Sequence, residues 1–100
     1  MTSNKYIEQI KRIILKEVEN QPVRVIFFGS RAKGEHTVGS DVDIALEGKG
    51  TIDHTLIIQL KEKLEESTIP YKVDIIDLSL VTDTFRQQVY KTGTVWKNFN

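Results

Sequence analysis

Three short runs rich in β-branched and aromatic residues, Val23 to Phe28, Val42 to Leu46 and Tyr71 to Leu78, alternate with amphipathic stretches inside 100 residues. This alternation is the strongest constraint on the fold. A run of about six such residues bounded by Gly or Pro reads as a strand. Between the runs, apolar residues recur at helical spacing. Ile7, Ile10, Ile14 and Val18 mark a helix from Asn4 to about Glu19, capped by Ser3 or Asn4 and ended by Gln21-Pro22. Leu56, Ile57, Leu60 and Leu64 mark a second from about Asp53 to Glu66, and Val81, Phe85 and Val89 a third ending near Lys91, with Gly93 placed to cap it. Residues 30 to 40 are polar and contain Gly34 and Gly39, so a short helical turn and a loop are expected there. The tail from Thr94 to Asn100 carries Val95, Trp96 and Phe99 and is expected to pack back on the body.

This order predicts an α+β, two-layer fold: a small mixed β-sheet with helices packed mainly on one face. The link between the first two strands is short for a parallel crossover, which favours an antiparallel pair there. The length predicts one domain over residues 1 to 100. Hydrophobic residues at 39% and charged residues at 28% exclude a disordered chain. The apolar run Val25-Ile26-Phe27-Phe28 is too short to span a membrane, and the charged N-terminus does not read as a signal peptide. With no cysteine, disulfides and thiolate zinc sites are excluded, and the cytoplasm is the default location. Fourteen basic and fourteen acidic residues cancel, which argues against dedicated nucleic-acid binding.

Strands avoid aspartate, yet Asp41 and Asp43 flank Val42 at the start of an apolar strand. Period two puts both side chains on one face, with Cβ atoms roughly 6 to 7 Å apart. Two full charges at that distance repel by about 2 to 3 kcal/mol at an effective dielectric near 20. A divalent cation turns that repulsion into attraction. Asp74, inside Val73-Asp74-Ile75-Ile76, adds a third carboxylate, and hard oxygen ligands point to magnesium. Against this, Asp41 also fits a turn residue after Gly39-Ser40, and Asp77 one at the end of its strand. Gly29-Ser30 closes the first strand. Gly29 allows close backbone approach, and Ser30 could cap the following turn or offer a hydroxyl to a phosphate, where free N–H groups attract anions. Gly29 and Gly34 have P-loop spacing, but Glu35-His36 stands where Lys-Ser/Thr is required. Without a Gly-x-Gly-x-x-Gly, a dinucleotide fold has no support.

Gly29-Ser30, ten residues, Asp41-Val42-Asp43, and then Asp74 in Val73-Asp74-Ile75-Ile76-Asp77 resemble the signature of the polymerase-β-type nucleotidyltransferase superfamily. The wording Gly29-Ser30-Arg31-Ala32-Lys33-Gly34 with Ser40-Asp41-Val42-Asp43-Ile44 resembles its minimal nucleotidyltransferases, found beside HEPN-domain proteins in toxin–antitoxin pairs. The resemblance spans about residues 7 to 95. It implies that Asp41 and Asp43 bind magnesium, two ions per site, and through it ATP. Asp74 completes the metal set and helps activate the incoming hydroxyl, while Gly29 and Ser30 cradle the phosphates. Arg31 is a candidate for the same phosphates, as is Lys33 less directly. Pairing with Glu35 or solvation is the other use of these cations. Lys49, between two glycines, reads as solvated or reaching a phosphate, His36 and His54 read as surface residues, and Tyr71, Tyr90, Trp96 and Phe99 as core or interface.

The implied reaction is transfer of AMP from ATP to a hydroxyl, a tyrosine above all, of a HEPN-type ribonuclease toxin, which silences it. A chain that is all catalytic core needs its acceptor surface from a partner protein or a homo- or hetero-oligomer. Two other readings remain: a binding module that neutralises by contact alone, and a subunit that nucleotidylates a small molecule such as an aminoglycoside.

Overall fold

The computed structural model describes residues 4–34 and 41–99. Helix α1, Lys5–Val18, opens at Asn4, whose side-chain oxygen accepts from the N–H groups of Tyr6 and Ile7. Strand β1, Val23–Phe28, leads through Gly29 into a single helical turn, α2, Ser30–Lys33. Strand β2 is Val42–Gly48, and helix α3 is His54–Glu65, capped by the Asp53 carboxylate. Strand β3, Val73–Asp77, runs into a 3-10 turn over Leu78–Leu80. Helix α4, Asp83–Thr92, opens with Thr82 accepting from the Phe85 N–H and passes directly into β4, Thr94–Lys97.

The sheet order is β3-β2-β1-β4. β1 is antiparallel to both β2 and β4, while β2 and β3 are parallel, so the expected mixed sheet and antiparallel first pair are both found. Alternation along the strands divides the molecule. Val42, Ile44 and Leu46 join Val23, Val25 and Ile75 on the face covered by α1 and α3, through Ile10, Ile14, Leu60 and Leu64. The opposite face carries Ile26, Phe28 and Ala45 under Leu78 of the 3-10 turn and Val89 of α4. Fully burying an Ile or Leu is worth about 1.5–3 kcal/mol, so the first face supplies most of the hydrophobic stabilisation. The second is left partly open, and Asp43 and Asp74 share its parity with Ala45 and Ile76.

Two expectations need correction. The tail packs back on the body as expected, but it was not read as a strand, and residues 94 to 97 form the edge strand β4, with Trp96 stacked on Phe27 at 5.0 Å between ring centres. Four residues are too few to display a period. β3 also stops one residue before Leu78. The Asp77 carboxylate accepts from the Ser79 N–H at 2.9 Å and from its hydroxyl at 2.8 Å, the turn role anticipated for Asp77.

Gly93 ends α4, its N–H donating to the Val89 carbonyl at 2.9 Å, but with extended backbone rather than a left-handed cap. Its constraint is space. A Cβ there lies 2.5 Å from Ile26 Cγ2 and 2.6 Å from the Val89 oxygen. Gly93→Ala is therefore expected to cost about 1–3 kcal/mol, the usual scale for overpacking. Urea unfolding checks this, the midpoint falling with an unchanged slope.

Candidate active site

The site lies where β1 ends and β2 and β3 begin. Phe28, the last residue of β1, pairs with Asp43 in β2, and Asp43 pairs with Asp74 in β3. The two carboxylates therefore stand side by side on neighbouring parallel strands. Asp41 is one residue before β2, whose entry is fixed by the Val42 N–H donating to the Lys72 carbonyl at 2.9 Å. Burial first, then the charges of Asp74 and Asp41, push the Asp43 carboxyl above the ordinary value of 3.8. Asp74 and Asp41 are thus both close enough to act on the Asp43 charge.

Gly29 forms the wall of this cluster. Its φ is +86° and its ψ −167°, a region open essentially to glycine alone. A Cβ built there would collide with the Asp43 carboxylate. The missing side chain is the space that the carboxylate occupies. Ser30, expected as a cap, is instead the first residue of α2. Gly29 holds the cap position, and no side chain caps the turn. Gly34 closes the turn with φ +76°, in open space.

The donor set suits magnesium, which binds through one or two carboxylates and takes its other ligands from water and substrate phosphate. The like-charge strain on Asp43 is what a cation relieves. Among the described residues, no group of three or more His, Cys, Asp or Glu side chains is gathered closely enough to hold a metal ion by itself.

Arg31 lies with its guanidinium 4.0 Å from the centre of the Tyr71 ring. Lys33 is exposed, and His54 is the exposed first residue of α3. Glu35, His36 and Ser40 lie outside the described residues. Lys49 sits 5.8 Å from the Phe99 ring, and Arg24 4.8 Å from the same ring. Tyr90, on α4, donates to the Glu47 carboxylate, which pushes the phenol above its usual range. Glu47 also faces Arg24 at 3.3 Å, an ion pair whose geometry falls short of a hydrogen bond.

Two site neighbours were read from the sequence only as a helix residue and as core or interface. Phe85 of α4 stands edge-on to Phe28 at 5.8 Å, one ring away from Asp43. Tyr71 lines a hollow of about 290 Å³ together with Lys72 and Asp74. The signal for Phe85 was its helical spacing with Val81 and Val89, which located it in a helix but not against Phe28.

A mixed sheet with an Asp pair in register across two strands and a glycine turn against it defines a nucleotidyltransferase domain. Residues 8–98 match the family described as Polymerase beta, Nucleotidyltransferase, and the chain belongs to that family. It is 35% identical over 68 residues to the Haemophilus influenzae protein named "Probable protein adenylyltransferase MntA", covering 68% of this chain and 60% of that protein's length. It is 38% identical over 77 residues to a Methanocaldococcus jannaschii protein also named as a protein adenylyltransferase, covering 72% of this chain and 88% of the relative. A toxin–antitoxin complex solved with AMP-PNP contains a chain of similar structure, with a TM-score of 0.71 and 27% identity over 90% of this chain and 74% of that one. Among the described residues, no helix is long and apolar enough to cross a membrane.

Proposed function

We propose that the chain transfers AMP from ATP to a hydroxyl of a partner protein, releasing pyrophosphate, and that the partner is a HEPN-type ribonuclease toxin which it silences in the cytoplasm. The observation that carries this reading is the register that sets Asp43 beside Asp74 with Gly29 pressed against the Asp43 carboxylate. The relatives named as protein adenylyltransferases, and the AMP-PNP bound in the toxin–antitoxin complex, support the choice of nucleotide and acceptor.

Asp41 and Asp43 would hold magnesium and Asp74 would complete the set. When bound, magnesium neutralises the charge that builds on the phosphates. The chain's own groups do the rest. The bare Gly29 backbone and the Ser30 hydroxyl admit the triphosphate, and Arg31 offers N–H donors to its oxygens. Asp74, on the edge strand, faces the acceptor and takes the proton of its hydroxyl. The acceptor oxygen bonds to the α-phosphorus as the bond to the bridging oxygen breaks, and pyrophosphate leaves. The acceptor's own protein completes the pocket in a hetero-oligomer, on the face of the sheet with the smaller core cluster.

The test is incubation of the chain and its co-expressed toxin with magnesium and ATP labelled at the α-phosphate. Label on the toxin, and a mass increase of one or more AMP units, is the expected result. An unlabelled toxin that is nonetheless silenced would replace transfer with neutralisation by contact.

A further inference from the structure

The α2 turn has little of its own to hold it in place. It is four residues long, has no buried residue and begins at a glycine without a side-chain cap. A single turn is unstable in isolation, so contacts elsewhere in the fold must fix its position. Tyr71 supplies one from a distance of forty residues along the chain. Its ring face receives the Arg31 guanidinium at 4.0 Å. The ring also packs T-shaped with that of Tyr6, at 5.5 Å between centres and 79°. Its hydroxyl accepts from Asn4 Nδ2 at 3.0 Å. The same Asn4 caps α1 with its other side-chain atom. Tyr71 is also covalently placed at the site, since its neighbour Lys72 accepts the bond that fixes the start of β2.

We infer that Tyr71 is a positioning residue: held on two sides by the N-terminus of α1, it holds Arg31 by stacking and so sets Arg31 and the Gly29–Lys33 turn for the triphosphate. This rests on the reading of the site as a nucleotidyltransferase. A guanidinium can lie flat against an aromatic ring, while a lysine cannot stack in that way. Tyr71 acts through Arg31 and does not itself touch the nucleotide.

The experiment reads magnesium–AMP-PNP binding by calorimetry on the whole chain, so it does not depend on turnover, and it reads KM and kcat for ATP on the toxin complex in parallel. Tyr71→Leu is expected to weaken binding about five- to ten-fold and to raise KM by a similar factor with kcat little changed. Tyr71→Phe, which keeps the ring, should stay close to the original affinity. Arg31→Lys, an exchange that does not disturb the core, should reproduce the Tyr71→Leu loss. Tyr71→Leu combined with Arg31→Ala should bind no worse than Arg31→Ala alone. Additive losses, unchanged affinity in Tyr71→Leu and Arg31→Lys, or a fall in kcat alone would overturn the inference. Failure to bind the analogue at all would overturn it too. Binding without label transfer would overturn the proposed reaction and leave the stack to be judged by the affinities.

Discussion

Asp43→Asn is expected to abolish nucleotide transfer while raising the melting temperature of the magnesium-free protein. The two effects share one cause. Asp43 is half-buried between Gly29 and Asp74, and burial, Asp74 and Asp41 all oppose its charge. Its carboxyl titrates above the ordinary 3.8 in the folded chain. Between that ordinary value and the raised one, the folded state binds more protons than the unfolded state, so stability falls as pH rises through this window. Below it, both states are protonated and the penalty vanishes. Asparagine carries no such charge. The variant should therefore melt higher than the parent at neutral pH, and the difference should close as the pH is lowered below the usual carboxylate range. Magnesium with ATP should reverse the order by stabilising the parent alone. Lewis-acid stabilisation worth several kcal/mol corresponds to a loss of about a hundred- to a thousand-fold in rate. Thermal melts at neutral and acid pH, with and without magnesium–ATP, and label transfer at saturating ATP check both halves. A variant that melts lower at neutral pH, or that retains transfer, would remove Asp43 from the centre of the site.

Such a cluster is legible in a sequence because it breaks the local rules. Asp43 and Asp74 sit in strands that should exclude them, and period two places each on the face opposite Ile44 and Ile75. The helices α1, α3 and α4 were readable for the reverse reason, since their apolar stripes and capping residues agree. Less legible was anything set by pairing across the chain. Nothing in the tail shows that Thr94 would lie opposite Phe27, and no spacing shows that Asp43 would be in register with Asp74 rather than one residue out. The Tyr71–Asn4 bond joins residues 67 apart, and the stack of Arg31 on Tyr71 depends on the α2 turn and the segment before β3 arriving at one rim. The role of Gly29 was half-visible. Close approach was expected, but of a phosphate, and the structure adds that the first group to approach is the chain's own carboxylate.

That adjacency makes Gly29→Ala the second large effect. Two costs add. Holding a side-chain-bearing residue at φ +86° and ψ −167° stores roughly 1–3 kcal/mol of backbone strain. Forcing a methyl group onto the Asp43 carboxylate is overpacking of about the same size. A domain of this length is stable by only about 5–15 kcal/mol, and each kcal/mol moves its melting point by about 4–8 °C, so a fall of ten degrees or more is expected. Transfer should be lost even below the new melting point, because the methyl group displaces the carboxylate. Gly34→Ala is the control for backbone strain alone. Its φ is also positive, at +76°, but among the described residues nothing lies within 4 Å of the added carbon, so the cost should stay near 1–2 kcal/mol and transfer should persist. Gly29→Ala with Asp43→Ala tests the collision directly. Truncating Asp43 removes the group that the methyl strikes, so the double variant should be more stable than the sum of the single changes allows, although inactive. Denaturant midpoints for the parent and the four variants, Asp43→Ala alone included, decide the matter. Equal losses from Gly29→Ala and Gly34→Ala, or strict additivity with Asp43→Ala, would mean that the carboxylate does not depend on the bare glycine for its place.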